Sequence, residues 1–140
     1  MEYHILTEPS DKKIILDDMF FEISNRKSSI ERSLKNFSKE QGYVVEGKGI
    51  NFQGDLDEYD LSQLPFPLEE HHILIGAEAG YSSLGFECEG YMTFSEFYGY
   101  LEEILPRYVE MTDEIKDLML DVKKGLGLED SSAPEWYVSN

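Results

Sequence analysis

With 140 residues, 41% of them hydrophobic and 13% aromatic, the chain can bury a core of its own and is too apolar for the disordered class. Its formal net charge of -17 argues against nucleic acid and anionic membrane as partners, because phosphate contacts need clustered Lys and Arg. Cys88 is the single cysteine, which excludes an internal disulfide and fits a reducing compartment.

The start, Met1-Glu2-Tyr3-His4, has neither the basic nor the apolar part of a leader. No stretch approaches the ~18 apolar residues of a spanning helix. The expectation is a cytoplasmic, monomeric protein with one domain over residues 1–128 and a loosely ordered tail over 129–140.

Residues 1–13 are short, polar and interrupted by Pro9, so they predict a loose arm with at most a marginal strand from Tyr3 to Leu6. From Leu16 to about Gln41, Met19, Phe20, Ile23, Ile30, Leu34 and Phe37 fall mostly at helical spacing and define one apolar face. Ser28 and Glu31 have capping-box spacing, which suggests two helices with a break near Asn25 to Lys27 and an end at Gly42. Arg26, Lys27, Arg32, Lys35 and Lys39 alternate with acids, the pattern of a solvated helix surface.

Tyr43 to Phe52 predicts one strand, weakened in its middle by Gly47 and Gly49. Gln53 to Glu70 combines acids, two prolines and little periodicity, the signature of a long irregular loop, and such loops are often functional. His72 to Ala79 and Gly85 to Met92 pair as a hairpin, with Phe86, Cys88, Gly90 and Met92 inward and Glu87, Glu89 and Tyr91 on the opposite face. Thr93 and Glu96 form a capping box ahead of a helix with Phe94, Phe97, Leu101, Ile104, Leu105 and Tyr108 on its apolar side. Pro106 predicts a kink or restart there. A last helix runs from about Thr112 to Lys124, turns Ile115, Leu118, Met119 and Val122 inward, and stops at Gly125. The fold class is α+β, with helices packed on a small, mainly antiparallel sheet of about three strands.

Enzymatic and metal readings find little support. His71 and His72 are adjacent and in a strand would point to opposite faces. Asp55, Asp57 and Tyr59 begin like a calcium loop, but Asp60 stands where glycine is needed and Phe66 where a bidentate Glu belongs. Glu87 and Glu89 would raise the pKa of Cys88 and disfavour its thiolate. Ser82 and Ser83 form no nucleophile elbow, and Glu102 and Glu103 look like ordinary solvated helix residues. No cofactor, metal or catalytic residue is expected.

Charge is the feature left over. Between Glu46 and Glu103 there are thirteen acids against Lys48 alone, a balance of -12 within the chain's -17. Tyr59 and Tyr91 lie among them. Such a surface suits a basic protein.

The order of pieces resembles the immunity proteins of contact-dependent growth inhibition and related polymorphic toxin systems, in particular the family that confers immunity to ribonuclease toxins. The residues that carry the resemblance are Phe20-Phe21, the basic turn Arg26-Lys27, Gly42-Tyr43, the acidic segment Asp55 to Asp60, and Phe94 to Glu110 with its Arg107-Tyr108 ending, together covering about residues 14–124. What the resemblance implies is a non-enzymatic inhibitor that binds the basic nuclease domain of a cognate toxin and blocks its active site or RNA groove. Charge then nominates Asp55, Asp57, Glu58, Tyr59, Asp60, Glu69, Glu70, Glu87, Glu89 and Tyr91 as the toxin-binding set. The alternative is an acidic adaptor, in effect a nucleic-acid mimic, that binds a basic nucleic-acid-binding protein.

Overall fold

Pro9 opens a helix where the sequence suggests a break. In this computed structural model, which describes residues 3–81 and 83–128, Tyr3–Leu6 is a strand, β1, and helix α1 is Pro9–Ile23. Proline at the first helical position gives up an N–H that has no helical partner there, and its φ already suits a helix. Helix α2, Lys27–Ser38, follows the expected break, but Arg26 is its N-cap and makes no side-chain cap, so Ser28 and Glu31 do not act as a box. Glu40, at φ 54°, turns the chain after α2. Gly42 is required for a different reason: a Cβ there would run into the Ile50 carbonyl.

The single strand expected over Tyr43 to Phe52 is a hairpin of β2, Tyr43–Val45, and β3, Lys48–Asn51. Glu46 and Gly47 connect them with φ of 47° and 70°, the two positive values of a type I′ turn. The long segment that follows is not wholly irregular, since it holds a one-turn 3-10 helix at Gln53–Asp55 and the short helix α3, Glu58–Ser62. Strands β4, His72–Ala77, and β5, Glu87–Thr93, pair antiparallel with Ile75 opposite Gly90.

Helix α4, Phe94–Tyr108, starts directly from β5 through the predicted box: Glu96 N–H donates to Thr93 Oγ1 at 3.0 Å, and Thr93 N–H to Glu96 Oε1 at 2.9 Å. Pro106 lies inside the helix, which continues to Tyr108 without a restart, so the missing donor falls in the last turn. Helix α5, Asp113–Gly125, is capped by Thr112, whose hydroxyl accepts from Ile115 N–H at 3.3 Å. Its stop is Gly127, at φ 73°, and Gly125 is the last helical residue. At Gly125 a Cβ would overlap the Ser38 backbone, so glycine there permits close contact between α5 and α2. The expected tail lies outside the described residues.

The α+β class holds, with five strands in the order β1-β5-β4-β3-β2, where about three were expected. β1 pairs parallel to β5, and every other pair is antiparallel. One core joins the sheet to the four longer helices, with Ile50, Ile73, Ile75 and Cys88 from the strands and Phe20, Leu34, Phe97 and Val122 from the helices. Phe37 and Phe97 meet edge-on at 5.1 Å near its centre.

Candidate functional site

Strand side chains alternate between faces, so the residues between these core positions stand on the opposite side of the sheet. The register aligns Val44, Gly49, Gly76, Glu89 and Ile5 in one row across it. Gly49 and Gly76 stand directly opposite each other in the row's middle, where Gly49 leaves its backbone bare and the Glu89 side chain lies against Gly76. The result is an open trough of about 310 Å³, bounded by Val44, Asn51 and Leu74 toward one side and by Glu87 and Glu89 toward the other, with no helical residue in its lining.

Glu87, Glu89 and Tyr91 share this face of β5, as their alternation predicts, and all three are half-buried. Burial pushes the Glu89 carboxyl above the usual carboxylate range. Among the described residues no cation or hydrogen-bond donor reaches it. Tyr91 donates its hydroxyl to the Phe66 carbonyl at 2.7 Å and meets the Phe66 ring edge-on at 6.2 Å, which fixes the acidic loop against β5. Burial also raises the Tyr91 phenol, against the Phe66 bond and with help from Glu89. Glu69 lines a neighbouring hollow of about 400 Å³ with Phe66, Tyr91 and Ile5, and the Lys12 ammonium at its edge donates to the Tyr91 carbonyl at 2.7 Å. Glu69, Tyr91, Glu89 and Glu87 therefore follow one another along the outer side of β5.

The other nominated residues lie apart from that line. Asp55 accepts from Phe52 N–H at 2.7 Å and so closes the 3-10 turn. Asp57 caps α3 by accepting from Asp60 N–H at 2.7 Å, and Asp60 returns the contact to Asp57 N–H at 3.5 Å. These acids have local structural work, and none of them lines the trough. Glu58 and Tyr59 are exposed on α3, Tyr59 at 70%. Glu70 lines a separate hollow of about 210 Å³ with Glu40, Gln53 and Phe94.

The other groups weighed for chemistry have local structural partners. His71 lies in a turn at φ 64° with its ring edge-on to Phe94 at 5.6 Å, whereas His72 begins β4, with Nδ1 3.0 Å from the Glu70 carbonyl. The pair is thus not two consecutive strand residues. Among the described residues no group of His, Cys, Asp and Glu is arranged to hold a metal ion. Burial is the main reason the Cys88 thiol is pushed up, opposed by a hydrogen bond from Ala77 and reinforced by Asp11 and Glu87. The flanking acids are secondary, and Glu89 is not among the causes. Ser83 ties the β4–β5 connection to α1 by donating its N–H and Oγ–H to Asp18 at 2.7 and 2.9 Å. Glu103 is more than solvated, since it pairs with Lys13 at 2.9 Å and Arg107 at 3.6 Å. Burial raises the Glu102 carboxyl while Lys123 opposes the rise.

Sequence reasoning missed Val44, Gly49, Asn51, Leu74 and Gly76 as parts of this surface. The available signal was glycine within strands, which marks either a weak strand or a close approach by another group.

Among known proteins, a family model described as CDI immunity protein matches residues 7–120. Neither a curated protein nor a solved structure matches the chain. Among the described residues no helix is long and apolar enough to cross a membrane.

Proposed function

Because the chain belongs to the CDI immunity protein family, we propose that it neutralises the cognate toxin of a contact-dependent growth inhibition system by binding it in the cytoplasm, with no catalytic step of its own. The toxin domain is a basic nuclease, in the first place a ribonuclease, and the inhibitor covers its active site or RNA groove. The observation that carries the nuclease reading is the -12 balance between Glu46 and Glu103, part of which lines the open trough on the outer face of the sheet. A nuclease holds phosphates with Lys and Arg, and carboxylates can take the phosphates' place while accepting paired Arg N–H bonds.

Charge of this kind mainly speeds encounter and selects the partner, while buried aromatic anchors slow release. Glu87, Glu89, Tyr91 and Glu69 form the inner part of the contact surface. Asp55, Asp57, Glu58, Tyr59, Asp60 and Glu70 form an outer, steering part.

The test mixes the purified protein with the C-terminal domain of its cognate contact-dependent growth inhibition toxin. The expected result is a one-to-one complex and loss of RNA cleavage in its presence. A complex that leaves RNA cleavage intact would refute inhibition of a ribonuclease, and no complex at all would refute the immunity role.

A further inference from the structure

Neither Gly49 nor Gly76 has a positive φ, so backbone conformation does not demand glycine at either position. At Gly49 the nearest atom to an added Cβ is Val44 Cγ2 at 3.3 Å. Val44 is 69% exposed and free to turn away, so the fold tolerates a side chain there. Glycine inside a strand weakens it. At Gly76 an added Cβ would meet the Cys88 carbonyl and the Glu89 Cγ, both at 3.2 Å, so glycine there lets the Glu89 side chain lie against the strand, and Gly49 supplies the flat, bare part of the trough's floor.

The walls specify what fits on that floor. Val44 offers an exposed apolar side, Asn51 offers an amide, and the buried Leu74 backs the trough. At the other side stands Glu89, a half-buried carboxylate with no cation or donor among the described residues. Lys48 also lines the trough, but its ammonium is held by the Glu46 and Tyr81 carbonyls at 2.9 and 2.8 Å. An apolar occupant would bury Glu89 further without a partner, which is costly. A long cationic side chain can lay its methylenes along the apolar side and carry its charge to the carboxylate. The planar guanidinium suits a flat floor and a carboxylate fork better than the point charge of an ammonium.

We propose that this trough seats an arginine side chain of the toxin domain, laid over Gly49 and paired with Glu89 where that carboxylate lies beside Gly76. The inference rests on the immunity reading and narrows it from an acidic surface to one anchor.

Gly49→Thr fills the floor with a strand-favouring residue, and Glu89→Gln keeps the shape of the wall while removing its charge. Asp117→Asn, on the exposed side of α5, is the control for loss of one negative charge. Binding of each to the cognate toxin domain is measured by calorimetry. Gly49→Thr and Glu89→Gln should each weaken binding at least about tenfold, the scale of an anchor residue, without lowering the melting temperature, and Asp117→Asn should bind like wild type. With isotope-labelled arginine in the toxin domain, one guanidinium N–H resonance should shift and become protected in the wild-type complex and lose that protection with Glu89→Gln.

If wild type binds and both trough variants match it, the seat is wrong while the immunity reading stands. If Gly49→Thr weakens binding and Glu89→Gln does not, or if no arginine resonance responds, the occupant is not an arginine. Failure of wild type to bind overturns both readings. Should Gly49→Thr melt early, Glu89→Gln and the arginine resonance still decide the matter.

Discussion

The two faces of the sheet are drawn from the same strands, one residue apart, and they obey different rules. Ile50, Ile75 and Cys88 face the helices and are at most 1% exposed. Their outward neighbours are Gly49 and Gly76, without side chains, and Glu89, an acid with no cation or donor among the described residues. A face built for stability would carry side chains in that row, since strand glycines leave nothing to pack. Stability is therefore concentrated on the helix side, and if the other face holds the proposed recognition surface, substitutions on the two faces should separate these properties.

The largest effect belongs to the covered face. Phe97 is fully buried and packs edge-on against Phe37 at 5.1 Å. Phe97→Ala should cost about 3–5 kcal/mol through lost transfer energy and the cavity left behind, as a fall in the urea midpoint, while the folded fraction binds toxin with wild-type affinity. Equal loss of stability and of binding per folded molecule would break the separation. A smaller effect distinguishes two glycines. Gly125→Ala should destabilise by about 1–3 kcal/mol because its Cβ would overlap the Ser38 backbone. Gly49→Ala, on the open face, should be neutral or slightly stabilising in the same unfolding experiment.

Local patterns were legible in the sequence and distant pairings were not. The Thr93–Glu96 box and the alternation of β5 each need only neighbouring residues, and both are present as predicted. β1 becomes a strand because it pairs with β5 from the far end of the chain, which no window around Tyr3 to Leu6 can show. The β2–β3 turn was hidden because Glu46 takes a positive φ that ordinarily calls for Asn, Asp or Gly. The trough depends on Gly49 falling opposite Gly76, a matter of register. Asp57 and Asp60 carry two signals at once: their three-residue spacing is that of a cap, which the structure forms, and their charge groups them with the proposed binding cluster.

That dual character of Asp57 sets the next prediction. Asp57→Ala should destabilise by about 1 kcal/mol, whereas Asp57→Asn, which keeps a cap acceptor, should recover most of the loss. Thermal melts of the two variants decide this. The Asn variant also makes the cleaner test of whether the loop's charge matters for association, because it changes charge with the cap in place. A charge-reversed lysine would mix the two effects.

The smallest effect is the most diagnostic for the open face. Burial raises the Glu89 carboxyl pKa in the folded protein above its unfolded value, so folding penalises the ionised form. Above the folded pKa that penalty is present in full. As the pH falls through the folded pKa toward the unfolded value of about 4.3, the folded state takes up a proton first and the penalty disappears. Glu89→Gln removes the titration, so the free variant should melt slightly higher than wild type near neutral pH, with the difference vanishing by about pH 4. The shift is small because the side chain is only half-buried. In the toxin complex an arginine beside Glu89 would favour the ionised form, and the sign should reverse: at neutral pH the same substitution that stabilises the free protein should weaken the complex. A residue kept for the fold alone would not change sign on binding, and a melting difference that ignores pH would remove burial as the cause.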